Sequence, residues 1–349
     1  MAMLVQSCLC VMAAAVLCVG CASSGNDSPG PGGHAGSSAG SGGGGSGNGG
    51  GGGGAGAGEG ADGGQLIGPL PADAKGPRGM RCDDSGRCTC FNIASIGQPG
   101  HTGFQGGMGN DSTNAFVNYL NTQSSASVDM YTAKPTLTSD FLNRYDVLIF
   151  QWLVDGVSSG GDGTGYWTFA PEEINALKDW VNSGGGVITL SGYDAQSQEV
   201  MPLNQVVQAL TDMSYGTADV LGTVSTANYC LGESDPLSGW VQTTPIGKHV
   251  TEVGAFHGRP ITPGPKATVD CSDSMYTYAA HEDVGQGHVF AYSDEWVTYT
   301  SQWLGIDAGA SCVDASAAVV YQVPQFWYNA ISYAAQATAC PFMLNGAIR

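Results

Sequence analysis

Two long apolar runs joined by one amphipathic segment constrain this fold more than any other stretch of the sequence. The first is Asp146-Val-Leu-Ile-Phe-Gln-Trp-Leu153, the second Gly185-Gly-Val-Ile-Thr-Leu-Ser-Gly-Tyr193. Neither alternates polar with apolar, so each predicts a strand covered on both faces, as in a parallel sheet flanked by helices. The segment between them predicts a helix with defined ends. Pro171 fits a first helical turn, Glu172 and Glu173 favour its positive end, Ile174, Leu177 and Val181 form an apolar stripe, and Gly184 can close the helix. Together they make one βαβ unit from Tyr145 to Tyr193.

The flanking segments repeat this alternation. Thr89 to Gly97 predicts a strand stopped by Gln98-Pro-Gly100, followed by a helix near Asp111 to Gln123 whose stripe is Phe116, Tyr119 and Leu120. A strand at Val128 to Tyr131 and a short helix at Ser139 to Arg144 lead into the central unit. After it come a helix at Val200 to Leu210, a hairpin turning at Gly285-Gln-Gly287, and a helix from Pro324 to about Gln336 that packs through Trp327, Ala330, Ile331 and Ala334. Short connections between alternating strands and helices predict an α/β fold with a doubly wound, mostly parallel sheet flanked by helices. The Thr-, Gly- and Pro-rich region near 218–275 predicts an irregular β-rich insertion, with short strands around Ala218 to Val224 and Val250 to Phe256.

Composition separates this domain from what precedes it. Residues 41 to 64 hold 16 glycines in 24 positions, too little apolar surface to offset the entropy of ordering. The predicted organisation is a signal peptide over 1–20, a cysteine and disordered linker over 21–80, and one α/β domain over 81–349. From position 82 onward 26 Asp and Glu face 8 Lys and Arg, a formal charge of −18. Such a surface argues against nucleic acid, whose sequence-independent binding needs basic groups to displace counterions. It serves solubility and names no partner.

Residues 1 to 20 carry no charged side chain and end in an apolar run, Val11-Met-Ala-Ala-Ala-Val-Leu-Cys-Val-Gly20, before Cys21. This resembles a bacterial lipoprotein signal, in which a small residue precedes the cysteine that becomes the lipidated first residue. Gly20 and Cys21 match those positions, while Cys18 stands three before the cysteine, where the family usually has leucine. The resemblance implies export and lipid anchoring at Cys21 to the cell envelope, with the outer membrane the expected site. The segment from Ala22 to Gly64 would then be a tether with a typical span of roughly 35–40 Å.

An exported chain favours disulfides over metal for its clustered cysteines. Cys82 and Cys88 flank Asp-Asp-Ser-Gly with no histidine nearby in sequence, which does not suit zinc. After lipidation Cys82, Cys88, Cys90, Cys230, Cys271, Cys312 and Cys340 remain. The pairing expected is Cys82 with Cys88, Cys230 with Cys271 and Cys312 with Cys340, leaving Cys90 in the first strand, although spacing does not fix it. The glycines from Gly97 to Gly109 lack both the Gly-x-Gly-x-x-Gly and the Gly-Lys-Ser/Thr patterns, so they predict a flexible loop without a nucleotide. Asp155 to Gly165 lacks the alternating carboxylates of a calcium loop and reads as a lid or surface loop. No cofactor and no metal are expected.

Tyr145-Asp-Val-Leu-Ile149, Trp180-Val-Asn-Ser-Gly-Gly-Gly186, Val187 to Leu190, Gly285-Gln-Gly-His-Val-Phe-Ala-Tyr-Ser-Asp294 and Phe326-Trp-Tyr-Asn-Ala-Ile331 together resemble the class I glutamine amidotransferase-like fold, especially its trehalose-utilisation (ThuA-like) branch. The active residues of that family are not matched. Where it has a nucleophilic cysteine this chain reads Leu190-Ser-Gly-Tyr193, and near its His-x-Glu stands Ser293-Asp-Glu-Trp296. Three readings follow. The favoured one is a non-catalytic module binding a carbohydrate or peptide through the strand ends, with Gln98, Gln151, Trp152, Tyr193, Asp294, Glu295 and Trp296 as candidates. A second is a hydrolase with Ser191 as nucleophile, His257 or His281 as base and Asp294 or Glu295 as orienter, although Thr189 stands where a Gly-x-Ser-x-Gly elbow has glycine. A purely structural envelope protein is the third.

Overall fold

A computed structural model describes residues 81–82, 88–89, 91–98, 114–122, 124–158, 162–193, 196–219, 235–255, 258–298 and 322–335. All of them belong to the compact unit Gly60–Arg349. The leader, Cys21, the glycine-rich linker, His257, Cys90, Cys230, Cys312 and Cys340 lie outside the described residues.

The fold is α/β. Two short strands, β1 (Arg81–Cys82) and β2 (Cys88–Thr89), pair antiparallel with Cys82 opposite Cys88. The domain proper opens with β3 (Phe91–Ile96), α1 (Asn114–Thr122), β4 (Ala126–Tyr131), α2 (Ser139–Leu142) and β5 (Val147–Gln151). A hairpin of β6 (Val154–Val157) and β7 (Gly163–Tyr166) precedes α3 (Pro171–Asn182), β8 (Gly186–Leu190) and α4 (Val200–Leu210). Then come β9 (Ser214–Tyr215), β10 (Asp235–Leu237), β11 (Val253–Ala255), β12 (Ile261–Thr262), β13 (Thr268–Ser272), β14 (Thr277–Val284), β15 (Gly287–Tyr292) and α5 (Val323–Ala334). No helix among the described residues is long and apolar enough to cross a membrane.

Nine strands form the main sheet, in the order β4-β3-β5-β8-β15-β14-β12-β9 with β13 also paired to β14. The pairs β3/β4, β3/β5, β5/β8 and β8/β15 are parallel. Taken in chain order these five strands lie 2-1-3-4-5, the flavodoxin-like arrangement with its switch point between β3 and β5. Successive side chains on a strand point to opposite faces, and here both faces are apolar. Ile93, Ile149, Ile188 and Phe290 pack under Phe116 and Leu120 of α1 and Phe326, Trp327 and Ile331 of α5. Ala94, Leu148, Phe150, Val187 and Val289 pack under Leu142, Leu177, Trp180, Val181, Leu203 and Val207 of α2 to α4. That two-sided cover is why the central runs show no alternation.

Helix α3 has the ends its sequence predicts. Pro171 lies in the first turn, and the Glu173 carboxylate accepts from Ala170 N at 2.9 Å, Leu137 N at 3.1 Å and Lys134 Nζ at 2.8 Å. Gly184 sits at φ +110°, and Gly185 N returns to Trp180 O at 3.0 Å.

Two expectations are corrected and a third is refined. The stretch Asp155 to Gly165 is a hairpin rather than a loop: Gly156 pairs with Thr164, and Trp167 Nε1 donates to Asp155 Oδ1 at 2.7 Å. The region near 218–275 is β-rich where it is described: β12 and β13 join β14 and extend the main sheet, while β10 and β11 form a small ribbon of their own. The predicted strand at Ala218 to Val224 falls largely outside the described residues, and Thr217 to Asp219 are not in a strand. Cys271 is a free buried thiol, so the expected Cys230–Cys271 bridge is not formed. Its burial, with the nearby Asp270 charge, pushes the thiol well above its ordinary range, which leaves it inert.

Gly97 ends β3 at φ +113°, and a Cβ built there would lie 1.6 Å from Gln151 O. Gly97→Ala therefore combines left-handed strain with a backbone clash. It should lower unfolding free energy by about 2 kcal/mol or more in urea titration, whereas an unchanged midpoint would contradict the close approach of β3 and β5.

Candidate functional site

The carboxyl ends of β3, β5, β8 and β15 bring most of the sequence-nominated residues to one edge. At the switch point, Gln98 N donates to Trp152 O at 3.1 Å, and Gln98 Nε2 to Thr132 O at 2.8 Å. Gln98 is half-buried, while Gln151, Trp152 and Tyr193 are buried. Gln151 Nε2 donates to Ser95 Oγ at 2.5 Å, and its Oε1 accepts from Tyr193 OH at 2.8 Å. The Trp152 ring stacks on Tyr193 with centroids 5.5 Å apart and planes 6° from parallel. Trp152 itself stands at φ +34°, a strained backbone for a tryptophan that the Trp152–Tyr193 stack and the Gln98 hydrogen bond hold in place.

The turn after β8 is the part most informative about chemistry. Ser191 is wholly buried, and its hydroxyl donates to Ser293 O at 2.8 Å. The next two amides, Gly192 N and Tyr193 N, donate to Glu199 Oε2 at 3.1 and 2.8 Å. Glu199 sits in a short 3-10 turn (Ser197–Glu199) that leads into α4. Its other oxygen accepts from Arg259 Nε at 2.8 Å, with the two side chains only 1% and 2% exposed. Arg259 also donates from its guanidinium to Thr217 O at 3.4 Å and from its backbone to Ser293 O at 2.8 Å. One carboxylate thus closes the turn with two backbone donors and a guanidinium.

Beyond β15 stand Asp294 and Glu295, both buried and hydrogen-bonded to each other. Two carboxylates this close cannot both ionise freely. Burial first, then the Asp294 charge and hydrogen bond and the Glu199 charge, hold the Glu295 carboxyl well above its ordinary value. Glu295 Oε2 and Ser293 Oγ are buried with no hydrogen-bond partner among the described residues. Trp296 opens the 3-10 turn Trp296–Thr298, which is pinned by Thr298 N and Oγ1 on Glu295 O and by Trp327 Nε1 on Val297 O.

His281 is not part of this edge. It lies on β14 opposite Phe290, three pairs from the β8 turn, where its Nδ1 meets Asp270 Oδ2 at 2.7 Å and its ring lies 4.5 Å from Tyr333. Ser191 and His281 are therefore each committed elsewhere and not to one another. No group of three or more His, Cys, Asp or Glu among the described residues could hold a metal ion. Sequence reasoning missed Glu199 and Arg259. A signal for Arg259 was present, since an arginine between Gly258 and Pro260 is conspicuous in a domain with so few cations. Glu199, just ahead of an apolar helix, carries no local signal that sets it apart from an ordinary first-turn acid.

Glu295 generates a pH prediction with a definite sign. Its folded-state pKa is raised above the unfolded value near 4.5, so the folded protein holds the proton more tightly. The associated stability is present below about 4.5 and is lost as pH rises toward the raised value. Glu295→Gln, which mimics the protonated side chain, should flatten that decline when the melting temperature is followed from pH 4.5 to 8. A decline as steep as in the unaltered protein would contradict the assignment.

No protein-family profile matches the chain, and no curated protein sequence does. Among solved structures the chain is similar to a cytoplasmic protein of Salmonella typhimurium, at 13% identity over 70% of this chain and 99% of that one, with a TM-score of 0.46. It is also similar to the mmIFT52 N-terminal domain, at 13% identity over 60% of this chain and 88% of that one, with a TM-score of 0.44. A putative ThuA-like protein of Bacteroides uniformis is similar at 13% identity over 78% of this chain and 97% of that one, with a TM-score of 0.40.

Proposed function

We propose that the chain is an envelope-tethered bacterial lipoprotein whose amidotransferase-like domain binds a carbohydrate or peptide without performing chemistry on it. The observation that carries this reading is the occupied turn after β8. A serine nucleophile needs a base on its hydroxyl and an amide donor aimed at the developing oxyanion, supplied in an elbow by the residue after the serine. Here the Ser191 hydroxyl serves Ser293 O, and Gly192 N serves a buried Glu199 carboxylate neutralised by Arg259. A substrate oxyanion would have to displace an internal ion pair. The groups at this edge that remain candidates for recognition are the half-buried Gln98 and the acid pair Asp294–Glu295, whereas Gln151, Trp152 and Tyr193 are buried and bonded or stacked internally.

Two measurements test the two halves of the proposal. A fluorophosphonate probe should leave Ser191 unlabelled in intact-mass and peptide analysis, and stoichiometric labelling abolished by changing His257 or His281 would restore the hydrolase reading. The tether rests on the leader ending at Gly20-Cys21. Cys21→Ala should move the protein from the membrane fraction to the soluble fraction, and unchanged retention would remove the anchor from the account.

A further inference from the structure

A cleft of about 460 Å³ lies between the stretch Pro260–Pro263 and the stretch Ser272–Thr277, a volume in the range of small-molecule sites, roughly 300–1,000 Å³. Its place in the fold is specific. Strand β14 runs antiparallel to β15, so its beginning lies at the carboxyl end of the parallel strands, where Ser293 N donates to Tyr278 O at 2.8 Å. Ile261 pairs with Thr277, and Pro260 directly follows the Arg259 that locks the β8 turn. The cleft therefore opens on the same edge as the candidate site, two strands beyond β8.

Both walls are preorganised. On one side proline fixes the backbone at positions 260 and 263. On the other, Asp273 Oδ1 accepts from Met275 N and Tyr276 N, each at 2.7 Å, and Asp273 Oδ2 accepts from Tyr278 OH at 2.7 Å. Asp273 N also bonds Tyr276 O at 3.0 Å. Burial alone would raise the Asp273 pKa, but these hydrogen bonds outweigh it and hold the carboxylate below its usual range. A turn this tightly bonded presents its outer side chains in one arrangement, and Met275 stands 74% exposed at its tip.

The lining chemistry selects the occupant. Pro260, Pro263, Met275 and Tyr276 supply apolar and aromatic faces, and Thr262, Ser272, Ser274 and Thr277 supply hydroxyls that both donate and accept. Among the described lining residues the only charge is the Asp273 carboxylate, which would repel an anionic ligand. An uncharged ring with one apolar face and a rim of hydroxyl groups matches these walls. Resting on the binding-module reading above, we propose that this cleft is the ligand seat of the domain and that it takes a neutral saccharide ring, packed on Tyr276 and held by the surrounding hydroxyls. Affinity comes from a preformed seat rather than from ordering on binding.

The test is calorimetric titration of the full-length protein with neutral cello-, malto- and chito-oligosaccharides and, separately, with uncharged tri- and tetrapeptides. The unaltered protein should bind at least one saccharide series, and Tyr276→Ala should weaken that binding by about tenfold. Because Tyr276 is half-buried, Thr262→Trp serves as a second variant: it starts from an exposed position, fills the cleft and should abolish binding with the fold intact by circular dichroism. Saccharide binding untouched by both variants but weakened by Gln98→Ala would overturn the cleft while leaving the binding module standing. Peptide binding blocked by Thr262→Trp, with no saccharide bound, would overturn the ligand class. Absence of any binding would overturn the cleft and the module together.

Discussion

The carboxylate of Glu199 joins three separate pieces of the chain. It accepts from Gly192 N and Tyr193 N in the turn after β8, it stands at the start of α4, and it meets Arg259 on the approach to β12. Both ions are almost wholly removed from water, which costs several kcal/mol per ion unless every lone pair and proton finds a partner. The partners are present: two amides and a guanidinium on the carboxylate, and the Thr217 carbonyl on the arginine. Such a pair adds little net stability over an apolar replacement, yet removing one member strands the other. Its effect is specificity. It fixes the β8 turn in one geometry and ties the antiparallel flank to the parallel sheet.

That geometry has a functional consequence. The turn after a central strand at the carboxyl edge of a doubly wound sheet is where backbone amides are free to meet a ligand or an oxyanion. Here the amides meet a side chain of the same protein. The switch point is likewise bridged, by Gln98 N on Trp152 O and by the stack of Trp152 on Tyr193. Open space at this edge lies instead on the antiparallel flank, where the stretches Pro260–Pro263 and Ser272–Thr277 leave a cleft, and the proposed binding is assigned there.

The parallel half of the fold was legible in the sequence because its physics is local. Unbroken apolar runs such as Val147 to Phe150 announce strands covered on both faces, and Pro171, Glu172, Glu173 and Gly184 mark helix ends by rules that act within one turn. The hairpin at Gly285 was legible for the same reason. The antiparallel flank was not: β12 has two residues, and it is a strand only because Ile261 finds Thr277 and Tyr215 on either side. β6 and β7 were hidden because glycine at 156, 163 and 165 lowers strand propensity even where a hairpin forms. In the site, the strand-end residues could be nominated from topology alone. What each side chain bonds could not, because the Glu199–Arg259 contact spans sixty residues and Asp270 reaches His281 only through strand pairing.

Glu199 and Arg259 act as one buried unit that closes the β8 turn. A double-mutant cycle in urea, with Glu199→Gln, Arg259→Met and both together, measures that unit. Each single change should cost about 3–5 kcal/mol by stranding its partner, and the double change should cost clearly less than their sum. Single changes that each cost under about 1 kcal/mol, or that add without coupling, would contradict it, leaving the Gly192 and Tyr193 amides open to an external ligand.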